Sequence, residues 1–358
     1  MITDRDYWQQ AAGDSNRNYA EICIKHDVIL NGPGEYGHLI DSSFEYQHSE
    51  ISSRKMTDLK RFACEMKDGD IVVLRLGTYS VMAVGIIIGE YEWLDYFGDV
   101  DGWDLEHIRR VKWLWSDLSN PKEFSTYTMK QGDTTQRLTS GEVINWINTL
   151  NLDFNNLHDL IRLPLPENHK ITFDDIEEAL FSYGVSDSSI KNLSREFDSL
   201  VRIASWYTQN SNPSEFETVT YLSVPLLRNL GWTPQKMAIE WYNVDIALFK
   251  SLPRDNDTLS VVVEAKKKGS SCLTAFSQAE GYAKNKKNCV RLIVTDGLRY
   301  GVYIKDSTNN EFKLYAYANL LRLQKKYPIY GCHGAIEAFK SMTPEWSVET
   351  LIPYIEIN

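Results

Sequence analysis

The chain has 358 residues, 43% of them hydrophobic and 12% aromatic, with 49 acidic against 38 basic side chains and a formal net charge of −11. That length is expected to divide into two domains with room for a small third element, and the composition is that of a folded chain. The acidic balance excludes coating of nucleic acid through bulk charge, and no run reaches the roughly 18–20 apolar residues of a membrane-spanning helix.

The chain opens on MITDRDYWQQ, without the basic-then-apolar layout of a signal peptide, which sets the expectation of a cytoplasmic protein. Cys23, Cys64, Cys272, Cys289 and Cys332 stand singly, as reduced thiols would, and Cys332-His333 has no second half from which to build a zinc site. Helical periodicity marks 56–69, where Leu59, Phe62, Ala63 and Met66 share a face and Gly69 stops the run. Two β-branched runs in 69–91 flank the turn Gly77-Thr78-Tyr79, a hairpin signal, and 109–115 (RRVKWLW) alternates like a further strand. Several short strands with a packed helix predict a small, partly open barrel. Trp8, Tyr19, Tyr36, Tyr91, Trp93, Trp103, Trp113 and Trp115 crowd this region; most belong to its packing, but such a density also suits a cage that stacks on an extruded base.

From about 140 the texture turns helical, through SGEVINWINTLN, then TFDDIEEALFSYG with Thr172 as its N-cap, then SDSSIKNLSREFDSLVRIASWY, with the Pro-punctuated 162–169 as a linker. From about 213 the order is helix, strand, strand, helix, strand, turn, strand, a mixed α/β unit around a central sheet. The domains are therefore drawn at 1–135, 136–212 (a helical connector) and 213–358 in an α+β multidomain chain.

The run VVVEAKKKG at 261–269 leaves an apolar strand for an acid and three bases. Alone it fits a solvated strand end as well as an active site. Strand alternation puts Glu264 and Lys266 on one side and Ala265 on the other, and a hairpin centred near Arg254-Asp255 places Asp245 opposite Glu264. Two carboxylates on adjacent strands repel, and a divalent cation such as Mg2+ (or Mn2+) removes the conflict while activating water, with Lys266 able to stabilise charge in the transition state. Gln278 and Tyr282, four apart on the next helix, share a face, and Glu215 or Glu217 on the preceding helix is placed to complete a metal shell. Lys266 to Lys268 with Lys284, Lys286, Lys287 and Arg291 form a basic cluster in sequence, as do Arg109, Arg110 and Lys112.

Asp245, Glu264-Ala265-Lys266, Gln278 to Tyr282 and the helix EFETVTYLSVPLLRNLGW from Glu215 to Trp232 resemble, in that order, the PD-(D/E)XK nuclease superfamily, in particular the nuclease domain of type I restriction motor subunits. Val244 stands where the family often has proline, and no GxxxxGK[ST] loop occurs to drive translocation. The resemblance implies a central mixed sheet, metal binding by Asp245 and Glu264, catalysis by Lys266, and assisting roles for Glu215, Gln278 and Tyr282. Residues 6–37, 66–77 and 98–115 are similar to EVE-like members of the PUA-like superfamily, whose relatives bind modified bases. That implies a base pocket, for which Trp8, Tyr36, Trp103, Asp104 and His107 are the candidates. Together these set the expectation of a modification-dependent, type IV-like restriction endonuclease of antiphage defence that cuts DNA, with a homodimer for double-strand cleavage. A non-catalytic nucleic-acid sensor and an RNA-directed nuclease are the alternatives.

Overall fold

The computed structural model describes residues 5–14, 17–40, 51–163, 169–210, 213–267 and 271–354. The chain divides into two compact units, Met1–Glu167 and Asn168–Asn358, each a mixed α and β structure around its own multi-stranded sheet. No helix among the described residues is long and apolar enough to cross a membrane.

Unit 1 runs β1 (Tyr7–Ala11), α1 (Ala20–Lys25), β2 (Val28–Asn31), α2 (Ser53–Lys60), β3 (Ile71–Leu76), β4 (Ser80–Trp93), β5 (His107–Ser116), β6 (Lys122–Glu123), β7 (Thr135–Arg137) and α3 (Gly141–Thr149). The expected hairpin is β3–β4, with Leu76 paired to Ser80 across the turn, and Gly77 takes the positive φ of 64° that the turn requires. The helix expected over 56–69 is α2 followed by a π-helical turn, Arg61–Glu65, and the face predicted from Leu59, Phe62, Ala63 and Met66 is buried. The sheet order is β2-β5-β4-β3-β1-β7, with β6 on β4. Its two end strands approach where Asn31 Nδ2 of β2 donates to Thr135 Oγ1 of β7 at 3.0 Å, so the sheet curls on itself without closing a backbone ladder there. One face packs Ile71, Val73, Val84 and Ile86 against Leu138 and the α3 residues Val143 and Ile147.

Unit 2 runs α4 (Phe173–Tyr183), α5 (Asp187–Asn210), α6 (Glu215–Thr218), which passes through a π-helical turn into α7 (Val224–Asn229), then β8 (Met237–Trp241), β9 (Val244–Phe249), β10 (Leu259–Ala265), α8 (Phe276–Ala283), β11 (Arg291–Thr295), β12 (Arg299–Lys305), β13 (Phe312–Asn319), β14 (Lys326–Tyr327), β15 (Cys332–His333) and α9 (Ala335–Met342). The sheet order is β14-β15-β13-β12-β11-β10-β9-β8. β10 and β11 are parallel, which requires a crossover, and α8 supplies it. β10 is buried on both faces. Val261, Val263 and Ala265 pack in the core built with α4, α5, α7 and α9, while Val262 packs with Ala275, Ala279 and Ala283 at α8.

The helices expected to form a connector over 136–212 divide between the two cores. Val143 and Ile147 of α3 are buried in unit 1, whereas Ile176, Leu180, Leu193 and Phe197 of α4 and α5 are buried in unit 2. Each presents an apolar stripe that a neighbouring sheet covers, so no free-standing helical module results. Thr172 caps α4 in a capping box with Asp175, as its sequence position predicts. Residues 164–168 of the expected linker lie outside the described residues.

Candidate functional site

The hairpin register decides whether the acidic residues meet. β9 and β10 pair Ile246 with Val263 and Ala247 with Val262, so one step further along the same register Asp245 stands across from Glu264. By alternation both side chains leave the sheet on the α8 side, the face that holds Ala247 and Val262. Asp245 Oδ2 accepts the Ala265 N–H at 2.7 Å, which ties the first carboxylate to the end of the second strand.

Glu264 is the anomaly of this site. Its side chain is 0% exposed, and neither carboxyl oxygen accepts a hydrogen bond from a described residue. A buried carboxylate without hydrogen bonds is costly and calls for a compensating charge. Lys266 Nζ lies 3.5 Å from Glu264 Oε1, an ion-pair contact, while its short bond of 2.9 Å goes to Gln278 Oε1. Burial and the adjacent Asp245 push the Glu264 carboxyl up to about 8 against the pull of Lys266. Asp245 is also raised, by burial, with the Ala265 N–H and Lys266 opposing.

Gln278 and Tyr282 project from α8 one turn apart, and Gln278 Nε2 donates to Tyr282 Oη at 3.3 Å. The chain of contacts Tyr282, Gln278, Lys266 thus fixes where the ammonium sits. On the other side of the site the choice between Glu215 and Glu217 is resolved by capping. Glu217 Oε2 accepts from Ser214 N at 2.7 Å and Ser214 Oγ at 2.9 Å, closing the capping box of α6. Glu215, at the exposed start of the helix, has its carboxyl raised by the packing around it, with Asp245 and Glu240 adding to the rise and Lys266 opposing. It therefore shares the electrostatic environment of the paired carboxylates.

No group of three or more His, Cys, Asp or Glu side chains among the described residues is gathered closely enough to hold a metal ion. The donor set still suits a hard divalent cation. Mg2+ needs only one or two carboxylates when waters fill its remaining positions, and the two buried Glu264 oxygens accept no hydrogen bond and face the Lys266 ammonium only at 3.5 Å.

The five residues expected to line a base pocket in unit 1 separate. Trp8 is fully buried on β1, its Nε1 donating to Asp70 Oδ2 at 2.8 Å with the Arg137 guanidinium over its ring, so it is a packing residue. His107 is buried as well. Its Nδ1 pairs with Tyr91 Oη at 2.6 Å and its Nε2 with Pro33 O at 2.9 Å, which leaves neither nitrogen to read a base edge. Tyr36 is half-buried and is not part of the cavity lining to which Trp103 and Asp104 belong. That cavity, of about 280 Å3, is shared with Tyr19, Asn31, Lys55 and Thr134. The Trp103 ring is held edge-on to Tyr19 at 5.9 Å and under the Arg17 guanidinium at 4.3 Å. No local pattern marks Lys55 and Asn31 as cavity residues: Lys55 Nζ pairs with Asp58 Oδ2 at 2.6 Å one turn along its own helix, but meets Asn31 Oδ1 at 2.7 Å and Thr134 Oγ1 at 3.2 Å only across distant segments of the fold.

The basic clusters are also redistributed. Arg291 is buried, donating to Ser341 O and Thr343 O and stacking on Trp346, so it leaves the cluster beside Lys266. Arg109 is fully buried, while Arg110 and Lys112 donate to the carbonyls of Ile161 and Asp159. Lys268 lies outside the described residues.

Burial also gives unit 1 an acid-sensitive pair. It lowers His26 and His107 from the ordinary 6.5 to about 4. The unfolded chain takes up protons near 6.5 that the folded unit refuses until about 4, so stability falls as pH drops through that window, by on the order of 2–3 kcal/mol for each histidine. Thermal melts from pH 7 to 4 should show this slope. His26→Phe, which keeps the edge contacts to Tyr96 and Phe97 and removes a ring nitrogen without a partner, should flatten it.

Residues 8–139 match a family model described as a domain of unknown function, DUF8426. That match covers the curled sheet of unit 1 and stops short of the carboxylate cluster. No curated protein matches the chain.

Proposed function

We propose that the chain is a divalent-metal-dependent nuclease, unit 2 hydrolysing a phosphodiester and unit 1 selecting the DNA by a modified base. The observation that carries this reading is Glu264: a fully buried carboxylate with no hydrogen bond to either oxygen, across from Asp245 and 3.5 Å from Lys266. A structural carboxylate would be hydrogen-bonded, whereas one waiting for a cation is not. Asp245 and Glu264 would hold the ion, with Glu215 in reserve at its edge. When bound, Mg2+ supplies a Lewis acid for the phosphate oxygen and lowers the pKa of a water.

The chain's own groups do the rest. Water adds to phosphorus as the sugar oxygen departs, and charge builds on the phosphoryl oxygens. Lys266, steered by Gln278 and already beside the carboxylates, donates to that charge or orients the water. Tyr282 keeps Gln278 in place. In unit 1 the Trp103 ring offers a stacking surface, and Asp104 borders the same cavity with a polar group suited to a base edge. One such site cuts one strand, so a double-strand break takes two copies of the chain.

The test is to incubate the protein and Mg2+ with unmodified DNA, with DNAs carrying methyl, hydroxymethyl or glycosylated cytosine, and with RNA. Cleavage of a modified DNA in preference to the others is expected. Equal inertness on all of them across several divalent metals sinks the reading. Trp103→Ala should reduce the ratio of cleavage rates on modified and unmodified DNA by roughly 5- to 100-fold, the range for losing one stacked base. A ratio unchanged in that variant would remove the cavity from the recognition site.

A further inference from the structure

We infer that Tyr242, at the tip of the β8–β9 hairpin, is the residue that positions a nucleic-acid strand at the carboxylate cluster, by stacking on a base next to the scissile phosphate. The inference rests on the nuclease reading of Asp245, Glu264 and Lys266 and adds to it a contact on the substrate strand.

The hairpin is as tight as such a turn can be. Trp241 pairs with Val244, and only Tyr242 and Asn243 lie between them. Both have positive φ, 49° and 68°, the sign pattern of a type I′ turn. Asn243 suits that conformation, but a tyrosine does not, because its Cβ crowds the backbone in the left-handed region. Asparagine or glycine would fit better at 242. An aromatic ring held in an unfavourable backbone conformation needs a reason, and packing does not provide one: Tyr242 is 78% exposed, among the most exposed large side chains of the chain.

The base beneath the ring is rigid. Trp241 meets Tyr242 edge to face at 4.8 Å and is itself braced on Phe249 at 5.2 Å. The hairpin also stands beside the chemistry. Asp245 follows Tyr242 by three positions, and Glu240, two positions before it, is felt by the same Glu215 carboxyl that feels Asp245 and Lys266. These carboxylates repel phosphate, so a strand approaching from this side is better held by a contact indifferent to charge. Base stacking on a neutral ring is such a contact, and it tolerates any sequence.

Two variants measured beside the wild type separate the possibilities: Tyr242→Asn, which the turn prefers, and Tyr242→Phe, which keeps the ring. Each is assayed for KM and kcat on a short DNA duplex carrying hydroxymethylcytosine with Mg2+, for binding to the same duplex with Ca2+, and for Tm. Tyr242→Asn is expected to raise KM and weaken binding about tenfold while its Tm equals or exceeds that of the wild type, and Tyr242→Phe should stay within about twofold of wild type. A purely structural tyrosine would move stability and binding down together. Wild-type KM and binding in Tyr242→Asn, or a loss that Phe does not rescue, overturns the inference while leaving the nuclease reading intact. A wild type that neither binds nor cuts this duplex, or any of the nucleic acids named above, overturns both.

Discussion

Lys266→Ala is expected to lower kcat on a cleavable DNA by on the order of 10^2- to 10^3-fold, the usual cost of removing one preorganised charge from a developing anion. Lys266 reaches the site from the position just past the end of β10, its N–H held by Thr295 O at 2.7 Å and its ammonium by Gln278, so alanine removes the charge without moving the strand. Asp245→Asn should cost at least as much. The amide oxygen can still accept the Ala265 N–H, which keeps the hairpin end in place, while the charge that would hold a cation is gone. Gln278→Ala is the informative control. It leaves both carboxylates and the lysine present but releases the ammonium, so a loss of about tenfold in kcat with little change in KM marks Gln278 as a positioning residue. Single-turnover cleavage of an end-labelled duplex measures all three. Wild-type rates in Asp245→Asn or Lys266→Ala would mean that the chemistry lies elsewhere.

Those residues were legible in the sequence because strand geometry is nearly rigid. A period of two fixes which side chains share a face, and a hairpin fixes which residues stand opposite, so Asp245, Glu264 and Lys266 followed from counting. Glu215 and Glu217 were not separable, since two residues apart on a short helix they differ only in which one the N-cap claims. Unit 1 was less legible. Ring chemistry marks Trp8, Tyr36 and His107 as candidates, but a ring on a strand of a curled sheet is used first for packing, as Trp8 is on Asp70 and His107 between Tyr91 and Pro33. The cavity instead draws Asn31, Lys55 and Thr134 from three distant segments, brought together by the approach of β2 to β7, which no local pattern encodes. The division of the helical segment between two cores was hidden for a similar reason. An amphipathic stripe shows that a helix will be covered and is silent on which sheet covers it.

Glu264 should make unit 2 lose stability with rising pH and regain it with a divalent cation. Its carboxyl titrates near 8 in the folded protein against an ordinary 4.5, so between those values the folded state holds a proton that the unfolded chain has released. Stability from this group is complete below 4.5, declines as pH rises, and is lost above 8. A cation takes the deprotonated pair, so it binds best where the free protein is weakest. At ten times its dissociation constant it contributes about 1.4 kcal/mol, which for a unit of this size raises Tm by about 3–6 °C. Melts with and without Mg2+ or Ca2+ should therefore coincide near pH 5 and separate by that amount at pH 8.5. Glu264→Gln, neutral at every pH and close in volume, should melt above the wild type at pH 8.5 without metal, show no cation effect, and cut nothing. Such a variant would be more stable and inert, the pattern of a side chain kept buried without hydrogen bonds for chemistry. A wild type whose Tm ignores both pH and cation over this range would make Glu264 an ordinary buried acid and remove the observation on which the nuclease reading stands.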